Sequence, residues 1–230
     1  MTRRMADPEF RRQQRDGLYG PHVAPLNRLV EEFGGGERGW LPHIAPVHGG
    51  VHAQLLWVLR DPGPAVADPE NAEAGFLCVE NNDATAARLC ELLERAHIPV
   101  SCTLPWNAYP WYVNRAPTVA ELRAGVEPLR RVITLMPQLR VLLLLGKHAE
   151  RSWKLLMSSG ASVISGVEVL HARHPSRQAF IGTAESRRVW REEQAVVVGQ
   201  AGRLLERPCA PPTRSGAPDT GPPGPRAAAT

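Results

Sequence analysis

The sequence predicts an α/β fold: three layers, α/β/α, around a short central parallel sheet of about four strands. Three observations point there. Short apolar runs alternate with stretches of helical period. Two of those runs, 55–59 and 141–145, are apolar throughout, as in strands covered on both faces. The chain has 230 residues, 43% hydrophobic and 22% charged, which suits one domain of ordinary size.

Each element has its own signal. Val23–Phe33 reads as a helix stopped by Gly34, Gly35 and Gly36. Leu55–Leu59 is a short apolar run and reads as a buried strand. In Asp83–Ala96, Ala86, Leu89, Cys90 and Leu93 recur at three- and four-residue steps, which predicts a helix. Ile98–Leu104 reads as the second strand. Thr118 and Glu121 form a capping box. It opens a helix with Leu122, Val126, Leu129, Ile133 and Met136 on one face, and Pro128 is expected to bend it. Leu139–Leu145 is the third strand, ended by Gly146, and Lys147–Ser158 is the next helix. Val167–His171 is the fourth strand, and Ala184–Glu206 the closing helix.

These elements set the expected domain at residues 21–207. Residues 1–20 carry Arg3, Arg4, Arg11, Arg12 and Arg15 and read as a flexible basic arm. Residues 208–230 are crowded with Pro and Gly and hold too few apolar side chains to offset their ordering entropy, so a disordered tail is expected.

Several classes fall away. The longest aliphatic run, Val141–Leu145, is far short of the roughly 20 residues of a membrane helix. Met1–Met5 is not followed by an apolar stretch, so no secretory signal is expected and a cytoplasmic location is. Cys78, Cys90, Cys102 and Cys209 are widely spaced, with no Cys-x-x-Cys pair. They are expected as thiols, the first three in or near the core, and no metal or other cofactor is expected. The net charge of +4 permits nucleic-acid binding without requiring it. Nothing in the sequence calls for more than a monomer.

In open α/β sheets, ligands bind beyond the carboxyl ends of the strands. Four loops leave those ends here: Arg60–Pro64, Pro105–Tyr112, the turn at Gly146-Lys147, and Ala172–Gln178. Their convergence would gather Asp61, Asn107 and His174. Each has a structural alternative. Asp61 fits a turn carboxylate that accepts backbone N–H groups, Asn107 an amide fixing its own loop, and His174 a surface histidine before a proline.

Asp61-Pro62-Gly63 after the first strand, Asn107 after the second and His174-Pro175-Ser176 after the last resemble the uracil-DNA glycosylase superfamily. The likeness spans most of residues 55–178. Gly75-Phe76 resembles the family's base-stacking aromatic segment, and Trp106–Arg115 is similar to the Asn-to-Asn-Arg stretch of its iron–sulfur branch.

The resemblance implies a glycosylase-like fold and hydrolysis of the bond between a deoxyribose and uracil, or a related deaminated base. That reaction passes through an oxocarbenium-like sugar and an anionic leaving base. Asp61 would hold the attacking water, and a neutral His174 would donate to uracil O2. Asn107 offers the acceptor and donor that match uracil N3–H and O4. Phe76 would stack on the flipped base, with core packing as its alternative, while Pro62 and Gly63 let the backbone come close. Ser176, Arg177, Gln178 and Lys147 would meet DNA phosphates. Between His171 and Arg191, Arg173, Arg177, Arg187, Arg188 and Arg191 face one acid, Glu185, which suits either a DNA face or a solvated helix face.

The chain also departs from the family. Arg60 stands where many relatives have Gly. Gly63 replaces the Tyr that blocks the thymine methyl in the best-known branch, so exclusion of 5-substituted uracils is not implied. Arg177-Gln178 replaces a Pro-Leu wedge, which predicts a weaker or polar wedge and a preference for single strands or mismatches. The cysteine spacing does not match the iron–sulfur quartet. The expected function is therefore a monofunctional DNA glycosylase, acting on uracil in single-stranded or duplex DNA as the first step of base excision repair. One alternative is a non-catalytic module that binds damaged DNA; another is an enzyme of free nucleosides.

Overall fold

The computed structural model describes residues 3–67, 75–160 and 166–205. The tail expected at 208–230 lies outside the described residues. In chain order the elements are α1 (Pro8–Asp16), α2 (Ala24–Phe33), β1 (His43–Ile44), β2 (Leu55–Leu59), α3 (Pro64–Ala67), β3 (Phe76–Leu77) and α4 (Ala84–Arg95). They continue as β4 (Thr103–Asn107), α5 (Val119–Ala124), α6 (Val126–Thr134), β5 (Val141–Leu145), α7 (Lys147–Ser158), β6 (Glu168–Ala172) and α8 (Ala184–Leu204).

A four-stranded, wholly parallel sheet in the order β4-β2-β5-β6 forms the centre, with helices on both faces. Alternation along the strands sorts the core. Leu56, Val58, Leu104, Trp106, Leu142 and Leu144 pack with Leu26, Leu29 and Val30 of α2, Leu122 of α5, Leu129 and Val132 of α6 and Leu156 of α7. The intervening residues Leu55, Trp57, Val141, Leu143, Leu145 and Leu170 pack with Leu89, Leu92 and Leu93 of α4 and Val198 and Ala201 of α8. A separate parallel pair, β1 with β3, sets His43 opposite Phe76 and Ile44 opposite Leu77.

The N-terminal segment corrects the expectation of a flexible arm. Asp7 caps α1 by accepting from the Glu9 N–H at 3.0 Å, and Pro8 sits at the first helical position. Met5 and Phe10 are buried with Ala45, Phe76 and Cys78. Arg4 donates to Glu80 Oε1 from Nε at 3.1 Å and Nη2 at 2.8 Å. Composition missed this because two apolar anchors and one buried carboxylate partner do the docking, within an otherwise polar segment.

The second strand is displaced from its expected place. Residues 100–102 form a turn of 3₁₀ helix, and β4 begins at Thr103. Pro105 lies inside β4, opposite Trp57. It is tolerated because β4 is an edge strand, where a missing N–H need not break a ladder. Asn107 is therefore the last residue of a strand and not part of the following loop.

The long helix expected after Thr118 is two helices broken at Gly125. A Cβ at Gly125 would lie 2.1 Å from the Ala108 carbonyl oxygen, so only glycine lets that loop pass. Pro128 falls in the first turn of α6, where its missing N–H has no intrahelical partner to lose, and the break at Gly125 lies within the turn before it, where a proline is expected to interrupt a helix. The capping box at Thr118 and Glu121 forms as read. Among the described residues no helix is long and apolar enough to cross a membrane.

Candidate functional site

The sheet registers fix the site. Leu59 at the end of β2 is level with Asn107 at the end of β4, and Leu145 at the end of β5 is level with Ala172 at the end of β6. All four strand ends are thus flush. The chain order switches between β2 and β5, the place where α/β sheets open a crevice. Backbone bonds tie the loops together: the Tyr109 N–H donates to the Arg60 carbonyl at 3.0 Å, and the Gly146 N–H to the Ala172 carbonyl at 2.8 Å.

Above these ends lies an open cleft of about 1530 Å³. It is lined by Asp61, Pro62, Gly63, Asn107, Lys147, His174, Ser176, Arg177 and Gln178, so nine of the residues singled out from sequence come together. The volume exceeds the roughly 300–1,000 Å³ of a typical small-molecule pocket, which suits an extended ligand.

Phe76 is the exception. It packs with Met5, Phe10, Ala45 and Cys78 and is not among the cleft residues. Leu77, Cys78 and Val79 line the cleft instead. Successive residues of a strand point opposite ways, and the docked N-terminal segment claims the Phe76 side. Cys78, Cys90 and Cys102 are all buried. Burial and the Glu80 and Glu94 carboxylates push the Cys90 thiol up to about 12.

Asp61 sits just beyond β2 with its side chain 2% exposed. Arg60 Nε donates to its Oδ1, while Oδ2 is buried without a hydrogen-bond partner among the described residues. Burial raises the Asp61 carboxyl above the usual range. The Arg60 guanidinium opposes that rise most, followed by the charges of His148 and Arg115. Arg115 is itself held by Glu121 at 2.6 Å.

Asn107 is 1% exposed, and both its Oδ1 and its Nδ2 lack partners among the described residues. An unsatisfied buried polar group costs about 1–3 kcal/mol, so such an amide is normally kept for a ligand or a water. Asn81 repeats the pattern in part: its Nδ2 donates to the Phe76 carbonyl at 3.0 Å, and its buried Oδ1 is unpaired.

His174 accepts at Nδ1 from the Ser176 N–H at 3.1 Å. Burial lowers its imidazole to about 4, with the charges of Arg60 and His148 acting the same way. A neutral ring that accepts at Nδ1 carries its proton on Nε2, which is then a donor. Gly146 makes room for this ring: with φ of 90°, a Cβ there would stand 3.0 Å from the His174 Cβ. The loop is braced from behind. Buried Gln194 donates to the Arg173 carbonyl at 2.7 Å and accepts from Arg88 at 2.9 Å.

Sequence reasoning missed two cleft residues. His148, the second residue of α7, is lowered by burial, then by the charges of Lys147 and Arg60. Its neighbour Lys147 drew attention as a cation, and both line the cleft. Ile181 lines the cleft with 78% of its surface exposed, the largest exposure of any large apolar residue described. The signal available was an apolar pair, Phe180-Ile181, close after Arg177 and Gln178: Phe180 is buried and Ile181 is left out. A Cβ at Gly63 would meet nothing within 4 Å, so that rim is open. Arg187, Arg188 and Arg191 are not among the cleft residues, and Arg188 pairs with Glu185 at 2.7 Å. Among the described residues no group of three or more His, Cys, Asp or Glu is placed to hold a metal ion. Compared with known proteins, the chain matches no family model and no curated sequence.

Proposed function

We propose that this protein is a DNA glycosylase, with a uracil-DNA glycosylase-like fold, that hydrolyses the N-glycosidic bond of uracil or a related deaminated base flipped out of DNA. One observation carries the reading. An orphaned carboxylate oxygen on Asp61 and an orphaned amide on Asn107 share one cleft with His174, whose proton resides on Nε2.

The roles follow from that arrangement. Asp61 takes the attacking water through Oδ2, and the negative charge steadies the cationic sugar as the bond to the base lengthens. The water oxygen bonds to C1′, its proton passes to the carboxylate, and the electron pair of the broken bond leaves on the base. His174 Nε2–H donates to the oxygen on which that charge collects. Asn107 pairs with O4 and N3–H of the base. The face of the base lies against Leu77 and Val79, an aliphatic surface in place of an aromatic one. Lys147, Ser176, Arg177 and Gln178 hold the backbone phosphates.

The test is strand cleavage after alkali, on oligonucleotides carrying uracil, hypoxanthine, xanthine or thymine opposite guanine, single-stranded and paired. The parent is expected to cut at uracil, with Asp61→Asn and His174→Ala each slower by on the order of 10²-fold or more. Specific binding with no cleavage on any substrate establishes instead the damage-binding module. Cleavage of free deoxyuridine in place of DNA establishes a nucleoside hydrolase.

A further inference from the structure

We propose that Arg60 is a positioning residue for the hydrolysis: it holds Oδ1 of Asp61, reserves Oδ2 for the water, and places its charge against both Asp61 and His174. The inference rests on the glycosylase reading and deepens it.

Geometry carries it first. The Asp61 side chain is 2% exposed, yet the Arg60 side chain beside it is 42% exposed, so the cation reaches in from the cleft wall. Its backbone is fixed, because the Arg60 carbonyl accepts from the Tyr109 N–H at 3.0 Å. A carboxylate bonded through one oxygen has its plane set and its second oxygen left over. That second oxygen is the one without a partner among the described residues.

Electrostatics give the placement a purpose. The reaction needs a charged Asp61 and an uncharged His174. Burial works against the first, since it raises the carboxyl, and Arg60 is the strongest opposing influence. Burial favours the second, and Arg60 is the strongest additional influence in the same direction. A single guanidinium thus serves both groups. The other charges near them come from different elements: His148 on α7 acts on both, and Arg115, ahead of α5, acts on Asp61. Burial first, then Lys147, Arg60 and Arg151, hold His148 low against the opposing Asp61 charge, and Arg60 is the strongest of the cations acting on Asp61.

The experiment compares the parent with Arg60→Met and Arg60→Lys. Carboxyl-carbon and imidazole-nitrogen resonances of Asp61 and His174 are titrated, and single-turnover kcat and KM on a uracil oligonucleotide are followed against pH. In Arg60→Met both midpoints should rise, Asp61 by about one unit or more. The acid limb of kcat should follow Asp61, while KM changes by less than about threefold. Arg60→Lys should restore much of the lost shift, since it keeps the charge without the fork. Unmoved midpoints overturn the proposal, as does a rise in KM at constant kcat, which would make Arg60 a phosphate contact only. A parent inert on every oligonucleotide defeats the glycosylase reading alone; the titration still decides whether Arg60 governs the two groups.

Discussion

The Ser176 N–H donates to Nδ1 of His174 at 3.1 Å, and this one bond decides which nitrogen faces chemistry. A backbone donor at Nδ1 excludes a proton there, so the neutral ring is protonated on Nε2. With the imidazole lowered to about 4 by burial first, the ring is neutral at pH 6 and above. Imidazole-nitrogen spectra at pH 6 should show the Nε2–H tautomer of His174. A ring that titrates near the ordinary 6.5 would remove the assigned role.

His48 yields a prediction about stability. It is fully buried: the Val79 N–H donates to Nε2 at 3.2 Å, and Nδ1 lies 3.0 Å from Thr103 Oγ1. Burial lowers it to about 3. Between pH 6.5 and that value the unfolded chain takes up a proton that the folded chain refuses, so stability falls as pH falls. The slope from this one group approaches about 1.4 kcal/mol per pH unit. His174 adds to it down to about 4, whereas Asp61, raised by burial, acts in the opposite sense. Urea denaturation between pH 7 and pH 4 measures the slope. A His48→Leu variant should flatten it by one proton, and at pH 7 should lose about 1–3 kcal/mol through the orphaned Val79 N–H.

Much of this architecture is legible in the residues. The runs at 55–59 and 141–145 are strands because each is apolar throughout, and the capping box at Thr118 opens a helix as its spacing requires. Asp61, Asn107 and His174 stand out in the sequence because each lies at, or within two residues of, the carboxyl end of a strand. The misses share a cause. Pro105 reads as a loop residue until the sheet order makes β4 an edge. Gly125 and Gly146 carry meaning only through what lies against them, the Ala108 carbonyl and the His174 side chain. Phe76 and the N-terminal segment satisfy each other at long range. No local period records such a contact.

Asn107 sets stability against function. Its two unpaired amide atoms are a standing cost to the free protein, and a bound base would relieve it. Asn107→Leu removes the polar atoms at similar volume. The variant should unfold at higher urea, by about 1–2 kcal/mol, while losing cleavage at uracil. Lower stability in Asn107→Leu would mean that the amide is satisfied by bound water in the resting protein, and cleavage that survives would remove it from base reading.

Ile181 is a second wedge candidate beside Arg177 and Gln178. Arg177 and Gln178 occupy the expected wedge positions, but the exposed apolar side chain of this loop is Ile181, at the cleft. Leaving an isoleucine 78% exposed next to Arg177 forgoes burial worth about 1.5–3 kcal/mol, which is regained if the side chain enters a base stack. A flipped base leaves such a gap only in a duplex; a single strand has no partner stack to refill. Ile181→Ala should therefore slow cleavage of paired uracil by about tenfold and leave single-stranded uracil nearly unchanged, the difference being about 1.4 kcal/mol of duplex opening. Equal slowing on both substrates would assign Ile181 to the cleft wall, and no slowing on either would return the wedge to Arg177 and Gln178.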